Sequence, residues 1–121
     1  MFRFLVFFLL CTGAYAQECE VTIDNASAFV GKEVTVCGVV TEINSPEHIS
    51  GSPTYFNMGG LYPNQIFTLV LWGKNKHKFV QGLDHYKGKH LTITGVVELF
   101  RGKPQMVLTF PEQVKELPLG H

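Results

Sequence analysis

The sequence predicts an all-β domain, because one strand pattern occurs twice along the chain. Residues 31–40 and 88–97 are identical at 6 of 10 positions, and β-branched side chains alternate with other side chains in both copies. An alternation with a period of two is typical of a pleated strand, and the central glycine, Gly38 or Gly95, indicates a bulge or a sharp bend. The OB-fold bends its first and fourth strands in this way to close a small barrel. We therefore predict a five-stranded OB-fold Greek-key barrel.

The predicted strands are separated by segments that have the composition of turns. The strands are expected over residues 33–43, 54–58, 65–72, 89–100 and 105–110. The segment after the first strand, residues 44–53, is rich in proline, glycine and serine, which is typical of an exposed loop. Apolar side chains lie on both faces of the third strand. This strand is therefore expected to be central in the sheet.

Two short helices are expected beside the strands. A short N-terminal helix is predicted over residues 24–30, because polar residues at its start can cap it and Gly31 can end it. A second short helix is predicted between strands three and four, over residues 74–83. Its prediction depends on apolar side chains, among them Phe79 and Leu83, that recur at helical spacing. The order of strands and helices is that of the OB-fold.

Residues 1–16 have the pattern of a signal peptide. Arg3 precedes an apolar run, and Ala14 and Ala16 provide the small residues that a signal peptidase reads. The run is shorter than the roughly 20 residues that a transmembrane helix needs, so no membrane span is expected. Cleavage after Ala16 leaves residues 17–121 as a single domain, located in the periplasm or secreted. The alternative of a lipoprotein is disfavoured, because a leucine precedes the cysteine that would carry the lipid.

Two cysteines, Cys19 and Cys37, remain after the predicted cleavage. In an exported protein an even pair of cysteines predicts a disulfide, which would tie the N-terminal segment to the first barrel strand. The alternative is that Cys37 is only a small core side chain. The sequence has no CxxC spacing of the kind found in redox and zinc sites.

The charge of the chain is balanced overall but uneven along its length. The sequence contains 10 basic and 10 acidic residues, and Arg3 leaves with the predicted signal peptide. Most acidic residues lie in the first half of the chain, whereas most basic residues lie in the second half. This balance excludes the strongly cationic surface that dominates tight non-specific DNA binding, although a local basic patch can still hold an anion.

No group of residues has the spacing of a catalytic or metal site. The GxSxG nucleophile motif is absent, and His77, His85 and His90 do not form a zinc-binding pattern. A staphylococcal-type nuclease is also an OB-fold, but its chemistry uses several arginines with clustered carboxylates, whereas Arg101 is the single arginine of residues 17–121. We therefore expect no enzymatic activity, no metal and no cofactor.

Four segments carry a more specific signal, namely residues 52–68, 86–89, 102–105 and 111–114. These segments resemble a family of exported bacterial OB-fold domains of the nucleic-acid-binding type. Similar domains accompany secreted nucleases. The resemblance covers nearly all of residues 17–121, and it implies the fold and a binding role.

The expected ligand-binding residues lie on strands two and three and on the adjacent loops, where OB-folds bind. If Phe56 and Met58 point inward on strand two, Tyr55 and Asn57 point outward. A tyrosine ring can stack on a base or a sugar, and an amide can form hydrogen bonds to it. The alternative is that Tyr55 only closes one end of the barrel.

Three further residues are candidates for the same site. Trp72 ends strand three and precedes a lysine-rich segment, where it can stack beside cations, although an aromatic residue at this position can also belong to the core. Arg101 and Lys103 lie in the turn between strands four and five. They are candidates for phosphate contacts, although the same residues are also common in solvated turns.

Two functions are compatible with these features. The first is binding of single-stranded nucleic acid through strands two and three and the adjacent loops, and the residues do not distinguish DNA from RNA. The alternative is a cell-envelope interaction module that binds a protein, a glycan or a small anion and has no affinity for nucleic acid. The near-zero net charge and the predicted export favour this alternative.

Overall fold

The computed structural model describes residues 19–118, and these residues form eight strands and only short 3-10 helices. The strands are β1 (Val21–Thr22), β2 (Glu33–Asn44), β3 (Thr54–Met58), β4 (Phe67–Leu71), β5 (His90–Val96), β6 (Glu98–Phe100), β7 (Lys103–Leu108) and β8 (Val114–Glu116). The 3-10 helices are Ala26–Phe29, Gly73–Lys78, Leu83–Tyr86 and Pro111–Gln113. The all-β prediction is confirmed, whereas the predicted signal peptide lies outside the described residues.

The strands form one sheet in the order β6-β7-β4-β3-β2-β5-β8, and β1 pairs with β2 beside it. The pairs β2/β3, β3/β4, β2/β5, β5/β8 and β6/β7 are antiparallel, whereas β4/β7 and β1/β2 are parallel. Strands β5 and β6 are separated only by Val97, yet they lie toward opposite ends of this order. The sheet therefore curls so that β6, at one end of the order, approaches β5 near the other end, and the arrangement is barrel-like.

The core lies inside this curled sheet. All five residues of β4 are buried, and β4 lies between β3 and β7, which confirms that the third predicted strand is central. The largest fully buried side chains are Phe56, Phe67, Met58, Leu69, Leu71, Leu91, Ile93, Met106, Leu108, Val21, Val36 and Val40. Burial of each such side chain contributes about 1.5–3 kcal/mol.

The two copies of the repeated strand pair directly with each other. Residues 33–39 of β2 lie antiparallel to residues 90–96 of β5 without interruption. The bulge that was expected at Gly38 instead falls between Val40 and Glu42, where the register between β2 and β3 shifts. The second copy is interrupted at Val97, after β5 ends.

Gly38 and Gly95 are closely packed positions within the uninterrupted β2/β5 ladder. A Cβ atom on Gly38 would lie 2.6 Å from a methyl carbon of Ile23 and 3.0 Å from the terminal methyl of Met58. A Cβ atom on Gly95 would lie 2.9 Å from Cγ and Sδ of Met106. At these distances the neighbouring side chains would have to shift, so these glycines allow them to reach the strand backbone.

The predicted helices are shorter than expected and have a different geometry. The N-terminal helix is a single 3-10 turn, Ala26–Phe29. The segment predicted as one helix over residues 74–83 instead holds Gly73–Lys78, and the second 3-10 helix starts only at Leu83. The backbone leaves the helical conformation at Phe79, whose ring enters the core, while the next residue, Val80, is 90% exposed. A continuous amphipathic helix is therefore not formed, because its expected apolar face is divided between core and solvent.

The predicted disulfide is present. Cys19 is bonded to Cys37, and the two Cα atoms are 5.7 Å apart. Cys37 lies in β2, opposite Thr22 of the short parallel strand β1. The bond therefore joins the start of the described chain to the strand that pairs with three others.

We expect Gly38→Ala and Gly95→Ala to lower the free energy of unfolding by about 1–3 kcal/mol each, the usual effect of adding a methyl group to a packed interior. Urea unfolding followed by tryptophan fluorescence measures this change. Val39→Thr, at an exposed position of the same strand, is the control and should change stability by only about 0.5 kcal/mol. Unfolding of both alanine variants at the wild-type urea concentration would contradict the packing explanation.

We expect reduction of the disulfide to lower the free energy of unfolding by about 3 kcal/mol, because the bond closes a loop between cysteines 18 residues apart. Thermal or urea unfolding with and without reductant measures the effect. Cys19→Ser is the matched variant, and it should be equally destabilised and insensitive to reductant. A wild-type protein whose unfolding is unchanged by reductant would overturn this prediction.

Candidate ligand-binding face

The candidate site is the side of β3, β4 and β7 that faces away from the core, which we call the outer face. Side chains alternate along β3, so that Phe56 and Met58 are buried in the core while Tyr55 and Asn57 lie on the opposite side. The strand register continues this arrangement into the neighbouring strands. Asn57 lies opposite Thr68, and Tyr55 lies opposite Val70. On β7, Gln105 lies opposite Thr68 and Val107 lies opposite Val70, so that two rows of side chains cross the three strands.

A row of hydrogen bonds crosses the outer face. The Asn57 side-chain amide donates to Oε1 of Glu42 at 2.8 Å, and its oxygen accepts from the Thr68 hydroxyl at 3.2 Å. The Thr68 hydroxyl in turn accepts from Nε2 of Gln65 at 3.2 Å. Asn57 is only 2% exposed. Each side chain of this row therefore makes at least one hydrogen bond within it, although the buried Oε1 of Gln65 has no partner within residues 19–118. Asn57 acts as a connector between β2, β3 and β4.

The loop between β3 and β4, residues 59–66, folds across one end of the outer face, and we call it the covering loop. The backbone N–H of Tyr62 donates to Glu42 Oε1 at 2.9 Å. The Thr41 hydroxyl donates to the carbonyls of Asn57 and Gly60 at 2.9 and 2.7 Å. Side chains from β2 therefore determine the path of the covering loop, which leaves Tyr62 69% exposed.

Arg101 and Lys103 lie at the same end of the outer face as the covering loop. The Lys103 ammonium donates to the carbonyls of Pro63 and Gln65, so this lysine ties β7 to the covering loop. Arg101 has a φ of 54° and places its guanidinium 5.1 Å from the ring centroid of Phe100. Its exposed charge lies at the tip of the β6–β7 hairpin.

Trp72 lies at the opposite end of the outer face. Its backbone is extended, so the alternation of β4 continues and places Trp72 on the same side as Val70. An open cleft of about 630 Å³ beside it is lined by Gly51, Ser52, Trp72, Gly73, Lys74 and Lys76. Tyr55, which is half-buried and opposite Val70, lies between this cleft and the covering loop. The five predicted site residues are thus distributed along one face and its two ends.

The pKa of the Glu42 carboxyl on this face is lowered by its hydrogen-bond donors. The pKa of the Glu42 carboxyl lies below its ordinary value of 4.5, first because the Tyr62 backbone N–H donates to it, then because of the Asn57 side chain and the charge of Lys87. A second carboxylate at the edge of the face, Glu98, accepts a hydrogen bond from Gln105 at 3.0 Å. Both acidic side chains are therefore engaged by donors of the same face.

The sequence did not indicate the residues that hold this face together. Glu42, Thr41, Thr68 and Gln65 were not predicted, and Lys103 was predicted only as a phosphate contact. The period-two alternation could have placed Glu42 and Thr68 on the side of Asn57, but only the strand register brings them together. The path of the covering loop had no local signal.

Other parts of the described chain have fewer features of a binding site. Beside β8, Nε2 of His85 lies within hydrogen-bond distance of Oε2 of Glu116, at 2.5 Å, and the Lys89 ammonium lies 3.8 Å from Oε1 of the same carboxylate. Within residues 19–118, no three His, Cys, Asp or Glu side chains are grouped so that they could hold a metal ion. None of the helices in this range is long and apolar enough to cross a membrane.

Comparison with known proteins supports the fold. No protein-family model matches the chain, and no curated protein matches it. Among solved structures, the chain is similar to an OBody bound to hen egg-white lysozyme, with a TM-score of 0.55 and 19% sequence identity. The alignment covers 85% of this chain and 96% of the chain it matches. At this identity the similarity concerns the fold alone.

We expect the covering loop to loosen in acid. Because the pKa of Glu42 is lowered in the folded state, its ionised form stabilises the loop above pH 4.5, and this contribution is lost as the pH falls through the lowered pKa. The hydrogen-exchange protection factor of the Tyr62 amide, measured by NMR, should fall in that range. In Glu42→Gln this pH dependence should disappear, whereas the control Glu98→Gln should retain it. A Tyr62 amide with equal protection throughout the range in the wild type would contradict the proposed contact.

Proposed function

We propose that this domain is an exported OB-fold module that binds single-stranded nucleic acid across its outer face. The observation that carries the proposal is the position of Tyr55, half-exposed at the centre of a face that has cationic side chains at both ends. Lys74 and Lys76 lie at one end of this face, and Arg101 lies at the other. An elongated polyanion with exposed bases fits such an arrangement.

The strand connections support the OB-fold assignment. If β5 and β6 are counted as one strand interrupted at Val97, the principal strands are β2, β3, β4, β5–β6 and β7. Their pairing then follows the order of the five-stranded OB barrel, in which the third and fifth strands are parallel. OB-folds bind ligands on their second and third strands, which correspond to β3 and β4 here.

The hydrogen-bond row favours a ligand that is recognised with little sequence preference. Asn57 and Thr68 use their side-chain groups within the chain, so the row offers few free donors and acceptors for base edges. Stacking on an aromatic ring is available to every base, because every base has a π-face. Bases of a duplex are already stacked, and a single strand is therefore the better ligand.

The distribution of charge predicts moderate affinity with a clear dependence on salt. The 10 basic and 10 acidic residues balance over the whole sequence, so that attraction comes from the local cations at the ends of the outer face. Binding of phosphates by a few cations releases a few counterions and weakens as salt rises. The Cys19–Cys37 bond supports export, because disulfides persist in oxidising compartments.

A second candidate is an envelope interaction module that binds a protein or a glycan. It is favoured by large apolar side chains that are exposed around the covering loop and the β6–β7 hairpin. These are Leu61, Tyr62, Leu99 and Phe100. Exposed apolar groups at adjacent loop tips are common features of interaction sites.

We expect Tyr55→Ala to lose about 1–3 kcal/mol of binding free energy for single-stranded DNA and RNA, because one stacking platform is removed. Arg101→Ala should reduce the slope of log affinity against log salt by about 0.7 for each lost phosphate contact. Fluorescence anisotropy with labelled oligonucleotides at several salt concentrations measures both. Arg101 is preferred to Lys103 for this test, because Lys103 also holds the covering loop.

Two control variants separate the candidate functions. Lys115→Ala, an exposed lysine of β8, removes one charge outside the outer face and should leave the salt slope unchanged. Tyr62→Ala removes an exposed ring of the covering loop. It should weaken binding of a protein or glycan, the second candidate, more than binding of nucleic acid. If neither DNA nor RNA binds at low salt while a labelled acidic glycan does, the nucleic-acid proposal is wrong and the envelope function takes its place.

A further inference from the structure

The cleft beside Trp72 is a preformed concavity at the end of the outer face. Its volume is about 630 Å³, and one wall comes from the β2–β3 loop while the other comes from the segment after β4. Trp72 is two residues beyond Val70, which lies opposite Tyr55. A strand bound over Tyr55 would therefore reach this cleft with its next units.

Two glycines allow the walls of this cleft to meet the indole ring. The backbone N–H of Gly73 donates to the carbonyl of Gly51 at 2.9 Å, which joins the two walls. A Cβ atom on Gly51 would lie 3.0 Å from a ring carbon of Trp72, and its φ of 88° also favours glycine. The Trp72 ring is thus held against the backbone of Gly51. Its position is therefore fixed before a ligand binds.

The cleft contains positive charge that no acidic side chain neutralises. Lys74 is exposed and Lys76 is half-buried, and none of the residues that line the cleft is acidic. Neither ammonium group forms an ion pair with a residue in the range 19–118. The next lysine differs, since the Lys78 ammonium lies 4.3 Å from the ring centroid of Phe110.

We infer that this cleft is a subsite for one nucleotide unit, with the base stacked on Trp72 and the phosphate between Lys74 and Lys76. An aromatic ring beside two unpaired ammonium groups matches a ligand that has a planar ring and an anionic group on one short linker. The choice of a nucleotide among such ligands rests on the proposed function of the outer face. The aromatic ring and the two ammonium groups belong to the cleft whatever the outer face binds.

The protein contains a single tryptophan, so its intrinsic fluorescence reports on this cleft directly. Adenosine 5′-monophosphate should quench the fluorescence of Trp72 in a saturable manner. Adenosine, which lacks the phosphate, and ribose 5-phosphate, which lacks the base, should each bind at least about tenfold more weakly, since each loses one of the two interactions. Inorganic phosphate should compete with the nucleotide without quenching the ring.

A matched pair of double variants tests the role of the lysines. The double variant Lys74→Gln with Lys76→Gln should bind adenosine 5′-monophosphate at least about tenfold more weakly than the wild type. It should bind adenosine as the wild type does, because adenosine has no phosphate. Lys32→Gln with Lys115→Gln removes the same charge from two exposed positions outside the cleft and should leave nucleotide binding unchanged. Equal weakening in both double variants would overturn the inference, because the effect would then be one of net charge.

The outcomes separate this inference from the proposed function. If oligonucleotides bind with the expected dependence on Tyr55 but adenosine 5′-monophosphate does not quench Trp72, the subsite is wrong and the function of the outer face stands. If the mononucleotide quenches Trp72 but no oligonucleotide binds, the subsite stands and the proposed function fails. Binding of ribose 5-phosphate as tightly as the nucleotide would show that the ring does not stack, and it would overturn the inference.

Discussion

The long strand β2 holds the two halves of the barrel-like sheet together, because its first seven residues pair with β5 and its last residues pair with β3. Pairing with β5 ends at Val39 and pairing with β3 begins at Val40, and the register of the β2/β3 pair shifts between Val40 and Glu42. Immediately before the shift, Gly38 admits side chains from the core, and Cys37 anchors the N-terminal segment. Close packing, the disulfide and the curl of the sheet therefore all depend on one strand.

The same strand organises the candidate site. After the bulge, the Glu42 carboxylate accepts hydrogen bonds from the Asn57 amide and from the backbone of Tyr62. One ionised group thus joins the outer face to the covering loop, and it does so because the register brings a carboxylate beside an amide. Lys103 closes the loop from the other side. Because most polar side chains of this face bond to one another, the ligand contacts of the proposed function fall to its aromatic rings and terminal cations.

Charge is placed so that a nearly neutral chain has local cations at the two ends of the outer face. The acidic side chains of the outer face are engaged by donors, whereas Lys74, Lys76 and Arg101 project at its ends. Phosphate contacts at the two ends and stacking between them would each contribute a modest binding free energy. Under the proposed function, single strands would be selected by shape and stacking, because the net charge of the chain provides little long-range attraction.

The sequence by itself determined the all-β class, the central third strand, the disulfide and the side of β3 on which Tyr55 and Asn57 lie. These features depend on local alternation and on the cysteine count, which are visible in short segments. Only the tertiary structure decided that the repeated strands pair with each other and that Gly38 packs against Ile23 and Met58. It also decided that the residues after Trp72 form a 3-10 helix beside a cleft, and that Asn57 is bonded to Glu42. These features depend on register and on the path of loops, and contacts between residues distant in sequence carry no local pattern.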